Sequence, residues 1–133
     1  MRSLLRAFAL LVAVACSLVL AHCAVIELGR EVVTVRIPQP DGTTYSRRLW
    51  IVDEGASGWL HSGGADWHAA VRGDPIVELE RGGSTRRYRA TAVPGSHPEV
   101  DRLLREKYGV ADRWVRTIGP DNESVLAVRL DPI

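Results

Sequence analysis

The sequence has very little cysteine, and both copies, Cys16 and Cys23, lie in one apolar N-terminal segment. No thiol follows Cys23. Disulfide bonds, cysteine-ligated zinc and a cysteine nucleophile are therefore excluded for the remainder of the chain. A domain built from that remainder must be held together by its apolar core, and a length of about 105 residues is enough to bury one.

An excess of charge of either sign is also missing. The formal net charge is +1, with acidic and basic residues interspersed, so the bulk charge does not indicate a nucleic-acid partner, and we expect none. Lysine is nearly absent, because Lys107 is the one lysine among 17 basic residues. The arginines are dense in two short stretches, which contain Arg47 and Arg48, and then Arg86, Arg87 and Arg89.

One long apolar run is present, and it stands at the N-terminus. Residues 7–21 carry no charge and follow Arg2 and Arg6, which is the layout of a secretory signal. The apolar character continues to Ile26, which gives the length of about 20 residues that spans a bilayer as a helix. A cleaved signal and a retained anchor both remain open for residues 1–26. We favour the anchor because no clear cleavage site follows, and the two arginines then place residues 27–133 outside the cytoplasm.

The segments after this run alternate with a period of two, which is typical of strands. Val33, Val35 and Ile37 share one face of a first strand, and the turn "PQPDG" leads into a second. A short strand "GWLHS" follows, and the hairpin "IVELERGGSTRRYRATAV" supplies two more. The segment "SVLAVRLDP" predicts a sixth strand.

Helical patterns interrupt these strands at two places. Trp67, Ala70 and Val71 share one side of a short helix, which Ser62 or Asp66 is expected to cap and Gly73 to end. A longer helix is predicted after Ser96, which forms a capping box with Glu99, and "VADRWVRTI" suits a second short one. The fold class is therefore mainly β with helices, as a six-stranded β-barrel with helical plugs behind an N-terminal hydrophobic helix.

The stretch "GADWHAAVRGDPIVELERGGSTRRYRATAV" resembles the deazaflavin (coenzyme F-420)-dependent nitroreductases and their FMN-binding relatives. That family has a short helix with the pattern Trp-x-x-Asn-Leu-x-Ala-Asn-Pro, and the matching positions here are Trp67, Ala70, Val71, Asp74 and Pro75. The resemblance implies a split β-barrel, a homodimer with a flavin or deazaflavin in a groove between subunits, and quinone- or nitroaromatic-like substrates. The family's Gly-Arg-x-Ser/Thr-Gly phosphate loop is absent, because that place reads "RIPQPDGTTYSRR".

The cofactor contacts that we expect are spread over four segments. Arginine offers a planar fork of donors to a phosphate, and the backbone at Ser62-Gly63-Gly64 can approach an anion closely. If the arginine-rich strands are neighbours, they form a phosphate cradle; the alternative is a solvated face paired with Glu78 and Glu80. The predicted cofactor-binding residues are Arg47, Arg48, His61, Ser62, Gly63, Trp67 and Arg87.

We expect no catalytic side chain and no metal site. In the flavin scheme the ring carries out the hydride chemistry and the protein positions the substrate. His61 and His68 lack the ligand number and spacing that a metal needs. The alternative function is a cofactor-free barrel that acts as a binding or structural module at the membrane. A barrel of similar shape without oxidoreductase ancestry also remains open.

Overall fold

A computed structural model describes residues 2–95, 97–120, 122 and 124–133. The chain forms two compact units, Met1–Arg30 and Glu31–Ile133. The first unit is the helix α1 (Arg2–Glu27), which contains the apolar stretch Leu4–Val25. By length and composition this stretch is able to cross a membrane.

The second unit is a closed barrel of six antiparallel strands, which confirms the predicted fold class. The ring order is β1-β2-β3-β6-β5-β4. The elements are β1 (Val32–Pro38), β2 (Thr44–Glu54), β3 (Ser57–Gly63), α2 (Ala65–Ala70), β4 (Ile76–Arg81), β5 (Ser84–Val93), α3 (Pro98–Tyr108), α4 (Val110–Ile118) and β6 (Val125–Pro132).

The barrel interior is filled by the alternate residues that the two-residue period predicts. Every second side chain of β1 points inward, and Val33, Val35 and Ile37 are at most 1% exposed. Inward residues from the other strands complete this core, with Ile51, Leu60, Val77, Leu79, Ala90, Val128 and Leu130 all buried. The apolar period therefore fixes which face of each strand lies inside.

Helix α3 packs against the outside of β2, β3 and β6. Val100, Leu104 and Tyr108 form a second apolar cluster with outward-facing residues of the barrel, Val52 and Ala127. The Tyr108 ring stacks on Trp50 with centroids 4.6 Å apart. The outer face of three strands is thereby covered by a helix.

The helix starts differ from the predicted caps. Helix α2 begins after Gly64, whose φ is +103°, and neither Ser62 nor Asp66 caps it with a side-chain hydrogen bond. Helix α3 begins after His97, again without a side-chain cap, while Glu99 is held by Arg102 one turn along. The predicted capping box depended on Ser96, which lies outside the described residues.

The turn Gly73-Asp74-Pro75 separates α2 from β4. Gly73 has φ +82° and Asp74 has φ +51°, both in the left-handed region that Gly and Asp tolerate best. Pro75 then prevents further helix, and its carbonyl accepts a hydrogen bond from the Ala90 N–H. The chain is thus redirected into the sheet within three residues.

The barrel is split between β2 and β3. Strand β2 pairs with β3 through Ile51–Glu54, while its first half, from Thr44 to Trp50, runs along β1. Strand β3 continues to Gly63 along β6. Strands β2 and β3 therefore separate beyond the pair formed by Ile51 and Leu60. Helix α2 follows β3 directly and occupies this gap.

Trp67 of α2 fills the gap from inside. Its side chain is fully buried in the barrel core, and its indole Nε1–H lies 3.4 Å from the Leu126 carbonyl oxygen. The ring centroids of Trp67 and Tyr45 are 6.4 Å apart, so the indole spans from β6 towards β2. One large side chain therefore closes the barrel where the strands separate.

At the opposite end of the barrel, Arg81 joins three segments. Its guanidinium donates to the Glu31 carboxylate at 2.5 and 3.0 Å and to the Asp53 carboxylate at 2.8 and 2.7 Å. These hydrogen bonds from Arg81 hold the pKa of Glu31 and of Asp53 below their ordinary values of 4.5 and 3.8. The end of β4 is thus tied to the starts of β1 and of the β2–β3 turn.

We expect Trp67→Ala to destabilise the domain by about 3–5 kcal/mol, because it leaves a large cavity in a fully packed core. Trp114→Ala is the matched control, since Trp114 is 45% exposed on α4, and we expect a loss below about 1 kcal/mol. Urea unfolding followed by circular dichroism measures both changes. Similar losses for the two variants would contradict the role of Trp67 as the residue that closes the barrel.

The Arg81 network predicts a specific pH dependence of stability. Because the folded-state pKa values of Glu31 and Asp53 lie below the unfolded ones, their contribution is complete above about pH 5 and is lost as the pH falls through the folded values. Arg81→Gln removes the largest cause of both pKa shifts, so the free energy of unfolding of this variant is expected to fall less steeply between pH 5 and 3.

The measurement is the urea midpoint of wild type and variant at a series of pH values. Arg86→Gln serves as the control, because Arg86 is an exposed arginine on the neighbouring strand. If the urea midpoint of Arg81→Gln falls with decreasing pH as steeply as the midpoints of the wild type and of Arg86→Gln, the network does not stabilise the charged carboxylates.

Candidate functional site

The split between β2 and β3 brings together four of the predicted cofactor-binding residues: Arg47, Ser62, Gly63 and Trp67. Arg47 alternates with Tyr45 and Leu49, which pack against the barrel core, so its side chain faces inward near the gap. Its Nη1 donates to the Gly63 carbonyl oxygen at 3.0 Å and to the Tyr45 hydroxyl at 3.2 Å. The guanidinium therefore bridges the two diverging strands.

The charge of Arg47 is not neutralised by a carboxylate within the described part of the chain. The side chain is half-buried, and the groups that it contacts, a carbonyl and a phenol, are both neutral. Because a half-buried cation gains most from an anionic partner, the gap is an electropositive position beside the barrel.

Ser62 and Gly63 occupy the end of β3 next to this guanidinium. Ser62 lies opposite Leu126 and Gly63 opposite Val125 in the ladder with β6. A Cβ on Gly63 would lie 3.1 Å from the Ser124 carbonyl oxygen, so the close approach of β6 requires glycine there. That same carbonyl lies 2.7 Å from His68 Nε2, which fastens α2 to the start of β6.

Trp67 is brought to the gap but has no accessible surface there. Because its side chain is fully buried, the ring is a core element and has no exposed face for a cofactor. This corrects the expectation that Trp67 contacts a ligand. The apolar spacing with Ala70 and Val71 already indicated a buried side, and the structure shows that Trp67 belongs wholly to it.

His61 lies on the other face of β3, against α3. Its side chain is 10% exposed, its Nδ1 is 3.8 Å from the Asp101 carboxylate, and its ring meets that of His97 edge-on at 5.9 Å. The two-residue period of a strand explains why His61 is on the opposite face of β3 from the gap, because Leu60 and Ser62 point inward and His61 between them points outward. His61 is therefore not part of the gap.

Arg48 and Arg87 are on outer faces of strands that do not pair. In the ring order, β2 and β5 stand on opposite sides of the barrel. The predicted phosphate cradle between the two arginine-rich strands is therefore not formed. Arg87 lies opposite Glu78 in the β4–β5 ladder, and Glu80 accepts a hydrogen bond from Arg36 of β1 at 2.6 Å, so these glutamates belong to a solvated, charged face.

Two features of the barrel, one beside the gap and one at the opposite end, were missed by sequence reasoning. Tyr45 contacts both Arg47 and Trp67, and its alternation with Leu49 was the signal that placed it inside. A cavity of about 230 Å³ at the other end of the barrel is lined by Leu79, Arg81, Ser84, Arg86 and Tyr88. It is smaller than the roughly 300–1,000 Å³ of typical ligand pockets.

No family model and no curated protein matches this sequence. Several solved structures share the fold at low sequence identity. The haem storage protein HutZ from Vibrio cholerae has a TM-score of 0.62 and 13% identity over 79% of this chain and 83% of its own. A FAD-binding protein from Mesorhizobium loti has a TM-score of 0.53 and 17% identity over 86% and 88%.

An F-420 reductase aligns with a TM-score of 0.53 and 13% identity, over 84% of this chain and 92% of its own. These identities are low enough that the likeness concerns the fold alone. The barrel with its helix-filled gap is thus a split β-barrel of the kind found in these three proteins.

Proposed function

We propose that this protein is a split-barrel oxidoreductase that binds a flavin or deazaflavin nucleotide, with the cofactor's phosphate held beside Arg47. The observation that carries the proposal is the half-buried Arg47 guanidinium, which has only neutral partners among the described residues. A phosphate at the gap would supply the missing negative charge.

The donors of Arg47 suit this role. Both hydrogen bonds use Nη1, which leaves the Nε–H and the Nη2 donors for an incoming oxyanion. The Tyr45 hydroxyl and the Gly63 carbonyl hold the guanidinium in place before a ligand arrives. A fixed arginine loses less side-chain entropy on binding than a mobile surface arginine.

Ser62 and Gly64 complete the phosphate end of the proposed site. Ser62 offers a hydroxyl one residue from the carbonyl that Arg47 contacts. Gly64 has φ +103° and nothing within 4 Å of the position where a Cβ would stand, so the backbone here is open to a ligand. Arg47, Ser62 and the Gly63–Gly64 backbone are the groups that we assign to the phosphate.

The residues of this chain are better placed to bind the phosphate of the cofactor than to bind its flavin or deazaflavin ring. Trp67 is buried, His61 faces α3, and Arg48 and Arg87 lie on separate outer faces. A ring pocket would need surface from a second copy, which agrees with the homodimer that the family resemblance implies. When bound, the flavin or deazaflavin supplies hydride transfer, and a quinone- or nitroaromatic-like molecule is the expected acceptor.

The fold relatives support a cofactor without selecting one. One solved relative is named as FAD-binding, one as an F-420 reductase and one as a haem storage protein. Because one fold hosts many functions, the choice among cofactors depends on the site and must be measured.

A second candidate function is a cofactor-free binding module at the membrane. It is favoured by the structural roles of Trp67, which closes the barrel, and of His61, which packs beneath α3. In that case Arg47 acts as a bridge across the split, and the apolar helix α1 holds the module at a membrane.

The deciding experiment titrates the full chain in detergent with FMN, FAD and coenzyme F-420, followed by fluorescence and calorimetry. We expect one of them to bind, and Arg47→Ala to weaken that binding about 10- to 100-fold, the equivalent of the roughly 1.5–3 kcal/mol of a charged hydrogen bond. Arg87→Ala is the matched control and is expected to leave the affinity unchanged, because it lies across the barrel.

Arg47→Lys separates charge from structure, since it retains the positive charge, and the melting temperature of each variant checks that the barrel remains folded. Equal affinities for Arg47→Ala and wild type would place the phosphate elsewhere. Failure of a folded, monodisperse protein to bind any of the three would reject the oxidoreductase and leave the cofactor-free module.

A further inference from the structure

The tip of the β4–β5 hairpin extends past the end of strand β6. Strand β6 pairs with residues 88–93 of β5, so residues 84–87 pair with β4 alone. Both strands of this tip line the cavity of about 230 Å³ at this end of the barrel, which we call the hairpin cavity. Its lining residues are Leu79, Arg81, Ser84, Arg86 and Tyr88.

The lining of the hairpin cavity changes from apolar to polar along the inward faces of β4 and β5. Leu79 is a core residue that is 1% exposed, and Tyr88 packs against the same core. Arg81, Ser84 and Arg86 continue the two-residue alternation towards the tip, so they lie on the same face. A face that only extended the core would remain apolar, and the change to polar side chains coincides with the cavity.

The two arginines of the hairpin cavity differ in their charge partners. Arg81 is neutralised, because its guanidinium donates to the carboxylates of both Glu31 and Asp53. Arg86 makes no hydrogen bond or ion pair with any residue that the structure describes. All five N–H donors of the Arg86 guanidinium, together with its positive charge, are therefore available to a ligand.

Two hydroxyls lie on the same face of β5 as Arg86, two residues to either side of it. In the described ranges of the chain, neither the Tyr88 hydroxyl nor the Ser84 hydroxyl has a hydrogen-bond partner. A tyrosine that is half-buried usually pairs its O–H with another polar group. The hairpin cavity therefore offers one unneutralised guanidinium and two hydroxyls next to the apolar Leu79.

The surrounding charges and the volume decide which anion the hairpin cavity favours. Glu31 and Asp53 are held at Arg81, and they repel a doubly charged phosphate more strongly than a single carboxylate. The planar guanidinium of Arg86 matches a carboxylate through two parallel hydrogen bonds. The volume equals that of about seven waters at roughly 30 Å³ each, which limits the ligand to a small molecule.

We propose that the hairpin cavity binds a small organic monocarboxylate. The carboxylate is held by Arg86 and the hydroxyls of Ser84 and Tyr88, and the apolar or aromatic part of the ligand packs against Leu79 and the Tyr88 ring. This site is distinct from the gap at Arg47, because the two lie at opposite ends of the barrel, and its occupation does not depend on a flavin or deazaflavin.

The test is an NMR titration of the full, isotope-labelled chain in detergent. The probes are benzoate, an aromatic monocarboxylate, and butyrate, an aliphatic one. Benzamide is the matched control ligand, because it has the shape of benzoate without the charge, and inorganic phosphate tests the preference for a single charge. We expect both carboxylates to shift the backbone amide signals of residues 79–88, and benzamide to leave them unchanged.

Substitutions in the hairpin identify the groups that bind the carboxylate. Arg86→Ala is expected to weaken benzoate binding about 10-fold or more, as the loss of a charged hydrogen bond does. Tyr88→Phe retains the ring that packs against the core and should weaken binding several-fold. Arg87→Ala removes the same charge from the outer face of the adjacent position, and it should leave the affinity unchanged. The melting temperature of each variant checks that the barrel is folded.

The proposal is overturned if neither benzoate nor butyrate shifts the hairpin signals of the folded protein. Equal losses for Arg86→Ala and Arg87→Ala would also overturn it, because general positive charge would then account for the binding. Equal binding of benzamide, or tighter binding of phosphate than of benzoate, would reject a carboxylate as the ligand. Shifts centred on Arg47 and Ser62 would assign the carboxylate to the gap and reject the hairpin cavity.

Discussion

The filling of a gap in the barrel wall by one indole ring is the contact on which the rest of this domain depends. Strands β2 and β3 share a ladder for only part of their length, and a six-stranded barrel with an open seam would expose the interior to water. Trp67 removes that possibility because it is fully buried and spans from Leu126 to Tyr45. Arg47 is held at the same seam. The gap that Trp67 closes is therefore also the place where the proposed anion site forms.

Polar contacts fasten the barrel at both ends. At the seam, Arg47 and His68 connect β2, β3, α2 and the start of β6 through backbone carbonyls. At the other end, Arg81 joins β4 to Glu31 and Asp53 by paired hydrogen bonds. In a domain without disulfides, these cross-strand contacts resist the separation of strands that are far apart in sequence.

The fold could be predicted from the sequence because its signals are local. The two-residue period placed Val33, Val35 and Ile37 inside, and Gly73-Asp74-Pro75 marked the end of α2. The site was predicted only in part. Arg47, Ser62 and Gly63 do meet, but Arg87 was grouped with Arg47 without knowledge of the ring order, which is a non-local property.

His61 and Trp67 show a second limit of sequence reasoning. Both residue types suit a ligand, and only tertiary packing decides whether such a side chain faces a groove, a helix or the core. His61 was predicted together with Ser62 as a cofactor contact, although alternation along a strand sends neighbours to opposite faces. The predicted side-chain cap of α2 was wrong for a related reason, because Gly64 at the start of that helix adopts the required backbone without a side-chain bond.

The position of β6 has a consequence for how the protein is made. This strand pairs with β3 on one side and β5 on the other, yet it is the last of the six to leave the ribosome. Until residues 125–132 emerge, the barrel is an open sheet with two unpaired edges, and Trp67 lacks its carbonyl partner at Leu126. The barrel therefore cannot close before this strand is made, and its folding is completed by the arrival of a single strand.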